Sequence, residues 1–459
     1  MAEFKEPKEF SNLQAISSVD GRFRGNVEEV SEYFSEYATM KTRVELETEW
    51  LIHINEVIGD KEITQQQKND LRKVYESFSI EDAQWIQDKD LEINHDTKSS
   101  EYFLRMKMEE LGMEELAPLV HIGLTSADVD DNAVRLSVKR FEEEHSVDVR
   151  SSINNYIKKI SLKYKDGIFL AKTHGRQAVP STMGKEFANY YNRLVKIDKK
   201  LKGLKFEGKV TGAVGNWNAL YDRYPDVNWI EVNRAFLEKF ELEPNMFTTQ
   251  ILPYDNLVEY LHLTHQYNYV LINLAKDMWK YISEGYFELV PKEGEVGSST
   301  MAHKVNPISF EGCESHLIIS NGIIETLAKN LPTNRLQRDV TDKYMIRELG
   351  PVMANSILGY SMIYGGITNV EFNQTFASEE LSQHWEILSE PMQTILRTHG
   401  YQDAYEVIKE KTRGKKLTED EYMQLVDELR ISKEAKKELQ ELRPDKYIGW
   451  AKDIVKKIK

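Results

Sequence analysis

Cysteine is almost missing from this chain: Cys313 is the only one in 459 residues. An internal disulfide is therefore excluded as a source of stability. Long apolar runs are missing as well, and no stretch approaches the ~18 consecutive apolar residues that a membrane span requires. Met1 to Phe10 is polar, with no basic segment leading into an apolar core. The expectation is a reducing, cytoplasmic compartment and no membrane partner. Basic charge is short too, with 60 Lys and Arg against 75 Asp and Glu and a formal charge of −15. That is the wrong sign for a protein that grips phosphate backbones, so no nucleic-acid partner is expected. No cluster of His, Cys, Asp or Glu has metal-ligand spacing, and no Gly-rich phosphate loop follows a strand pattern. Neither metal nor cofactor is expected.

What the chain does have is helical periodicity, punctuated by Gly and Pro at a few places. Its length suits two or three domains, and its apolar content of 41% is ample for their cores. The first region, 1–120, opens with Ser17-Ser18-Val19-Asp20-Gly21-Arg22-Phe23 and then carries helical patterns over Glu45–Ile58 and Ile63–Val74. A polar stretch, Glu92-Ile93-Asn94-His95-Asp96, precedes a further helix for which Asp96 or Thr97 is the expected cap. The second region, 121–366, is long helix after long helix. Leu124 to Asp166 contains neither Gly nor Pro, and Tyr254 to Val290 contains only Gly285. Each such run spans roughly 50 Å if continuous, too long to bury itself in a small globule. A bundle is implied, one completed by other subunits. Leu257, Tyr260, Leu261, Leu263, Tyr267, Tyr269, Val270, Leu271 and Ile272 go well round one helix, which predicts burial on most sides. The third region, 367–459, reads as charged amphipathic helices with a basic tail. The fold class expected is all-α.

Polar breaks separate these helices at His121–Asp128, Thr173–Pro180, Gly208–Asn218 and Asn245–Pro253, and Gly208–Asn218 is the best candidate for strand or turn. Most of the chemistry gathers in one more break, Gly294 to Pro307, which reads G-E-V-G-S-S-T-M-A-H-K-V-N-P. Ser298-Ser299-Thr300 alone would suit a cap or linker. His303, Lys304 and Asn306 follow at once, however, and Pro307 favours the first turn of a new helix. A cation and an amide there, with the free N–H groups of a helix start, make an anion site.

This string resembles the signature loop of the fumarase/aspartase superfamily. Two further segments resemble that superfamily's other recurring motifs: Thr125-Ser126-Ala127-Asp128 with Asn132, and Thr173-His174-Gly175 followed by Pro180-Ser181-Thr182-Met183-Gly184-Lys185. Within it, the resemblance is to the bacterial-type adenylosuccinate lyase family. It rests on Ser18 to Arg22, Asn94-His95-Asp96, Gly212-Ala213-Val214-Gly215-Asn216, Thr248-Thr249-Gln250-Ile251 and Leu336-Gln337-Arg338-Asp339. The resemblance implies a three-domain fold with a central helix bundle, a homotetramer with shared sites, and elimination of fumarate from adenylosuccinate and from the related succinylated carboxamide ribotide; the other readings are a different fumarate-releasing lyase of the superfamily, such as one acting on argininosuccinate, and a helical scaffold without chemistry.

Such an elimination needs a base for a carbon-bound proton, an acid for the departing amine, and fixed positive charge for the carbanion between them. The resemblance assigns the base to Ser299 and the acid to His174. It places His95 as a partner that orients the substrate or His174; a histidine satisfied beside a cap is the other reading. Lys304 and Asn306 are assigned to the succinyl carboxylates. Thr125 and Ser126 are read as helix caps, as carboxylate ligands, or as both. Arg22, Arg338 and Arg347 are assigned to the monophosphate and Gln250 to a substrate amide contact, with Asn94, Asp96 and Thr173 in the same substrate-binding set.

Four positions depart from the family pattern. Arg176-Gln177 stands for Gln-Pro, Ala302 for Pro, Lys343 for a phosphate-binding Ser, and Phe23 for Tyr. Lys343 is expected to keep or strengthen phosphate attraction and to compensate for the hydroxyl missing from Phe23. Arg176 puts a second cation beside His174. Thr398-His399-Gly400 repeats the histidine motif but lacks the Pro-Ser-Thr-Met-Gly-Lys that follows it, so His399 is read as a decoy at a helix end with Gly400 as its cap.

Overall fold

A computed structural model describes residues 11–59, 61–290, 301 and 304–458. Ser298, Ser299, Thr300, Ala302 and His303 lie outside the described residues. Among the described residues helix predominates, and strands occur only in two-stranded pieces: Ile168–Thr173 with Arg176–Thr182, Glu207–Gly208 with Glu243–Pro244, and Phe287–Leu289 with Val370–Phe372.

Long helices form where no Gly or Pro interrupts. Ser126–Phe141 continues through a π-helical turn, Glu142–Ser146, into Val147–Lys163. Asp255–Glu284 runs for 30 residues, and Gly285, at φ +92°, ends it. The expected burial along this helix holds for Leu257, Tyr260, Leu261, Leu263, Tyr267, Val270, Leu271 and Ile272, but Tyr269 is 49% exposed. The strands account for the departure from pure helix. The expected break at Thr173–Pro180 is a β-hairpin, which helical periodicity cannot announce because its strands are short and Pro180 interrupts the second.

Two compact units emerge. The first comprises residues 1–149, 197–269 and 315–359, and the second 150–196, 270–314 and 360–459. In the first, Trp50, Phe141, Phe236, Leu257, Tyr260 and Val352 belong to one large apolar core. Helix Glu36–Ile58 is buried along most of its length there, and it carries Arg43, Glu47 and Glu49 into the interior. In the second, Leu170 of the hairpin packs with Leu381, Trp385, Leu388, Tyr422 and Leu439. Among the described residues, no helix is long and apolar enough to cross a membrane.

Candidate active site

In the first unit, the sequence-separated candidates are placed by helix starts and by the loop around residue 211. Helix Ile80–Ile93 ends on Asn94, which adopts a left-handed conformation at φ +54°. The next helix, Asp96–Glu110, is capped by His95 rather than by Asp96 or Thr97. The His95 backbone is extended, and its Nδ1 accepts from the Lys98 N–H at 3.1 Å. That bond leaves the ring proton on Nε2, so the exposed edge of the ring is a donor. Asp96 is the first residue inside the helix, and its carboxylate reaches beyond it: Lys343 Nζ lies 2.6 Å from one oxygen and Arg43 3.0 Å from the other. Burial by itself would raise the Asp96 carboxyl. The Arg43 and Lys343 charges outweigh that penalty and hold it well below the usual carboxylate range.

Thr125 is the N-cap of the long helix and Ser126 its first residue, so the capping reading holds for Thr125. Asp128, fully buried, organises this start. It accepts from the Thr125 N–H at 2.8 Å, from the Thr211 and Gly212 N–H groups at 2.9 and 3.1 Å, and from the equally buried Lys209 ammonium. Asn132 adds contacts to the same loop, donating to the Lys209 carbonyl at 2.7 Å and accepting from its N–H at 3.0 Å. A buried carboxylate with this many donors is well satisfied. The Thr125-Ser126 segment is thereby tied to the loop Lys209–Ala213. From that loop the Ala213 carbonyl accepts from Gln250 at 3.0 Å, and the Gln250 amide oxygen accepts from Arg338 at 3.2 Å.

Arg338, Lys343 and Arg347 line one cavity together with Arg43, Asp130 and Glu36. Arg347 is paired with Glu36 at 2.9 Å and donates to the Lys343 carbonyl at 3.0 Å. Arg22 is exposed, while its neighbour Arg24 takes the local acids Asp20 and Glu28. Phe23 packs edge-on against His316 with ring centroids 4.9 Å apart.

In the second unit, His174 and Gly175 are the two tip residues of the hairpin, at φ +52° and +72°. Thr173 pairs directly with Arg176 across it. Positive φ at both central positions is the geometry that matches the twist of flanking strands. It leaves the imidazole exposed at the tip. The strand beneath is anchored: Lys172 reaches Glu284 at 2.6 Å and Glu380 at 3.8 Å, and the Leu170 carbonyl accepts from the Tyr286 hydroxyl at 3.1 Å. Lys304 is exposed and Asn306 half-buried, just ahead of helix Ile308–Asn330, and the Pro307 carbonyl accepts from the Phe310 N–H at 3.0 Å. Pro307 thus stands at the helix start, as its fixed φ favours.

Arg43, Asp128, Asp130 and Lys209 escaped the sequence reading as site-organising residues. For Arg43 a signal existed, since a charge among Met40, Val44 and Trp50 on a buried helix requires a partner. The partner itself could not be read from one dimension.

Comparison with known proteins covers nearly the whole chain. A family model described as Lyase matches residues 21–318, and one described as Adenylosuccinate lyase C-terminal matches residues 334–448. Adenylosuccinate lyase of Buchnera aphidicola subsp. Baizongia pistaciae is 38% identical over 452 residues, covering 97% of both chains. That of Escherichia coli strain K12 is 36% identical over 455 residues, covering 98% of this chain and all of its own length. That of Dictyostelium discoideum is 38% identical over 459 residues, covering 97% of this chain and 98% of its own. Among solved structures, the 3-carboxy-cis,cis-muconate lactonizing enzyme of Pseudomonas putida superposes with a TM-score of 0.76 at 17% identity, over 95% of this chain and 97% of its own. A fumarate lyase from Mesorhizobium sp. BNC1 gives the same TM-score and identity over 93% and 96%. These likenesses establish the all-α fold. Full-length identity to its curated relatives establishes more: the chain belongs to the adenylosuccinate lyase family of the fumarase/aspartase superfamily, and it is a lyase.

Proposed function

We propose that the chain cleaves adenylosuccinate to AMP and fumarate, and cleaves the succinylated carboxamide ribotide of purine synthesis in the same way. The observation that carries this reading is identity of 36–38% to named adenylosuccinate lyases over nearly all of both chains. In the proposed reaction Ser299 takes the proton from the carbon beside a succinyl carboxylate. The electron pair left behind forms the C=C bond of fumarate as the C–N bond breaks, and His174 protonates the departing nitrogen. A serine hydroxyl is a weak base, so hydrogen-bond donors and cations around it must stabilise its alkoxide. Lys304 and Asn306 hold the carboxylates and the charge that builds on them. Thr125, Ser126 and Thr173 add donors, His95 presents Nε2–H, and Gln250 and Asn94 orient the nucleotide. Arg22, Arg338 and Arg347 take the phosphate.

Several features support the assignment. The imidazole of His174 stands at an exposed hairpin tip, and Gln250, Arg338 and the loop at Ala213 form one hydrogen-bonded line. The proposal extends to a cytoplasmic homotetramer with shared sites and a three-part division at about residues 120 and 366. Tyr269, Trp279, Ile318, Ile319 and Tyr364 on the long helices are each at least 40% exposed, apolar surface suited to other copies of the chain.

The ultraviolet change on adding adenylosuccinate tests the activity, with argininosuccinate in parallel; turnover of the second but not the first overturns the substrate. Ser299→Ala is expected to lower kcat by about 10²–10⁴-fold. Mixing inactive Ser299→Ala chains with inactive His174→Ala chains is expected to restore part of the activity. No recovery after verified subunit exchange removes site sharing.

A further inference from the structure

Four charged side chains in the first unit close into a ring. Arg43 Nε lies 2.8 Å from Asp130, and the Arg43 NH2 lies 3.0 Å from Asp96. Lys343 Nζ lies 2.6 Å from the other Asp96 oxygen and 3.6 Å from the other Asp130 oxygen. The charges alternate around the ring and cancel. Thr97 adds its hydroxyl to Asp130 at 3.2 Å and its N–H to Asp96 at 2.9 Å. Side-chain exposure is 4% for Arg43, 15% for Asp130, 19% for Asp96 and 26% for Lys343, so solvent screens these contacts only partly.

An ammonium clamped between two carboxylates has little charge left for a third anion. A phosphate approaching Lys343 would have to displace Asp96 and would meet the repulsion of Asp130. The ring is better placed for a different task. Lys343 joins two pieces of the site: the helix start bearing His95 and Asp96, and the segment bearing Arg338 and Arg347. Its main chain extends the link, since the Lys343 carbonyl accepts from Arg347 at 3.0 Å.

We infer that Lys343 is a positioning residue rather than a phosphate ligand: with Arg43, Asp96 and Asp130 it sets His95 against the phosphate-binding arginines. The inference rests on the adenylosuccinate lyase reading. It also explains how a lysine is accommodated where the resemblance expects a serine. A serine would leave two carboxylates sharing one arginine, whereas the lysine restores neutrality.

A charge-rescue cycle tests this on the full-length enzyme, with AMP binding measured by calorimetry beside adenylosuccinate turnover. Wild type that neither binds AMP nor cleaves adenylosuccinate overturns the parent reading, a result visible before any variant is made. Otherwise, Lys343→Met is expected to lower kcat by about tenfold and to weaken AMP severalfold, because one carboxylate has lost its cation. Adding Asp130→Asn restores neutrality and is expected to return AMP affinity to within about threefold of wild type. Lys343→Arg, which keeps the charge, is expected to retain both properties. AMP affinity that stays low in the double variant makes Lys343 a direct phosphate ligand and overturns the inference. Unchanged kcat and affinity in Lys343→Met overturn it as well, by removing the ring from function.

Discussion

Thr173-His174-Gly175 and Thr398-His399-Gly400 are the same three residues in two different structures. In the first, His174 and Gly175 both take positive φ and turn one strand into the next. In the second, His399 is the C-cap of helix Ser389–Thr398 with φ −87°, and only Gly400 goes left-handed, at φ +86°. The Gly400 N–H bonds the Arg397 carbonyl and the Tyr401 N–H bonds the Leu396 carbonyl, the paired bonds of a Schellman end. One histidine stands at the tip of a hairpin anchored by Lys172 and Leu170, while the other leans on Glu438 at 3.1 Å. Local sequence permits both outcomes. The flanking residues decide, with the amphipathic run of 389–398 winding a helix and Ile168 to Leu170 extending into an apolar core.

The comparison can be broken most directly at the histidines. His174→Gln is expected to lower kcat by about 10²–10⁴-fold, the usual worth of a general acid. His399→Gln is expected to leave kcat within about twofold, since no substrate chemistry is assigned to it. Equal losses at the two positions would erase the distinction. The glycines sharpen it with a smaller effect. A Cβ added at Gly175 or Gly400 meets nothing within 4 Å, so only the backbone conformation opposes alanine. Each Gly→Ala change is expected to cost about 1 kcal/mol in thermal or denaturant unfolding. Only Gly175→Ala is expected to lower kcat as well, because the turn it strains carries His174, the proposed acid. The smallest effect belongs to Glu438→Gln. The carboxylate is 53% exposed, so losing its contact with His399 is expected to change stability by no more than about 0.5 kcal/mol and to leave kcat alone.

Much of this architecture was legible from the chain. The uninterrupted runs became the long helices, Gly285 ended one of them, and Gly400 closed another in the left-handed position just after its cap, His399. Gly208–Asn218 proved non-helical over most of its length. The misses share one cause. The hairpin at 168–182 went unseen because its strands satisfy each other across a turn, and their alternation is too short to outweigh the helical background. Capping of Asp96–Glu110 fell to His95, and the Asp96 carboxylate reaches Arg43 and Lys343, residues 53 and 247 positions away. The carboxylate partners of Lys343, a residue expected to keep or strengthen phosphate attraction, are equally invisible at a distance in sequence.

The sequence by itself determined the family, the all-α class and the candidate chemistry, because those depend on residue types at short spacing and on periodicity. Tertiary structure alone decided which charges remain available. Asp128 is spent on four donors, and Lys343 is clamped between two carboxylates. Gln250, by contrast, is lined up with Arg338. Those outcomes follow from burial. A charge or amide withdrawn from water must find a partner wherever the fold supplies one, and the fold brings together residues that the chain keeps hundreds of positions apart.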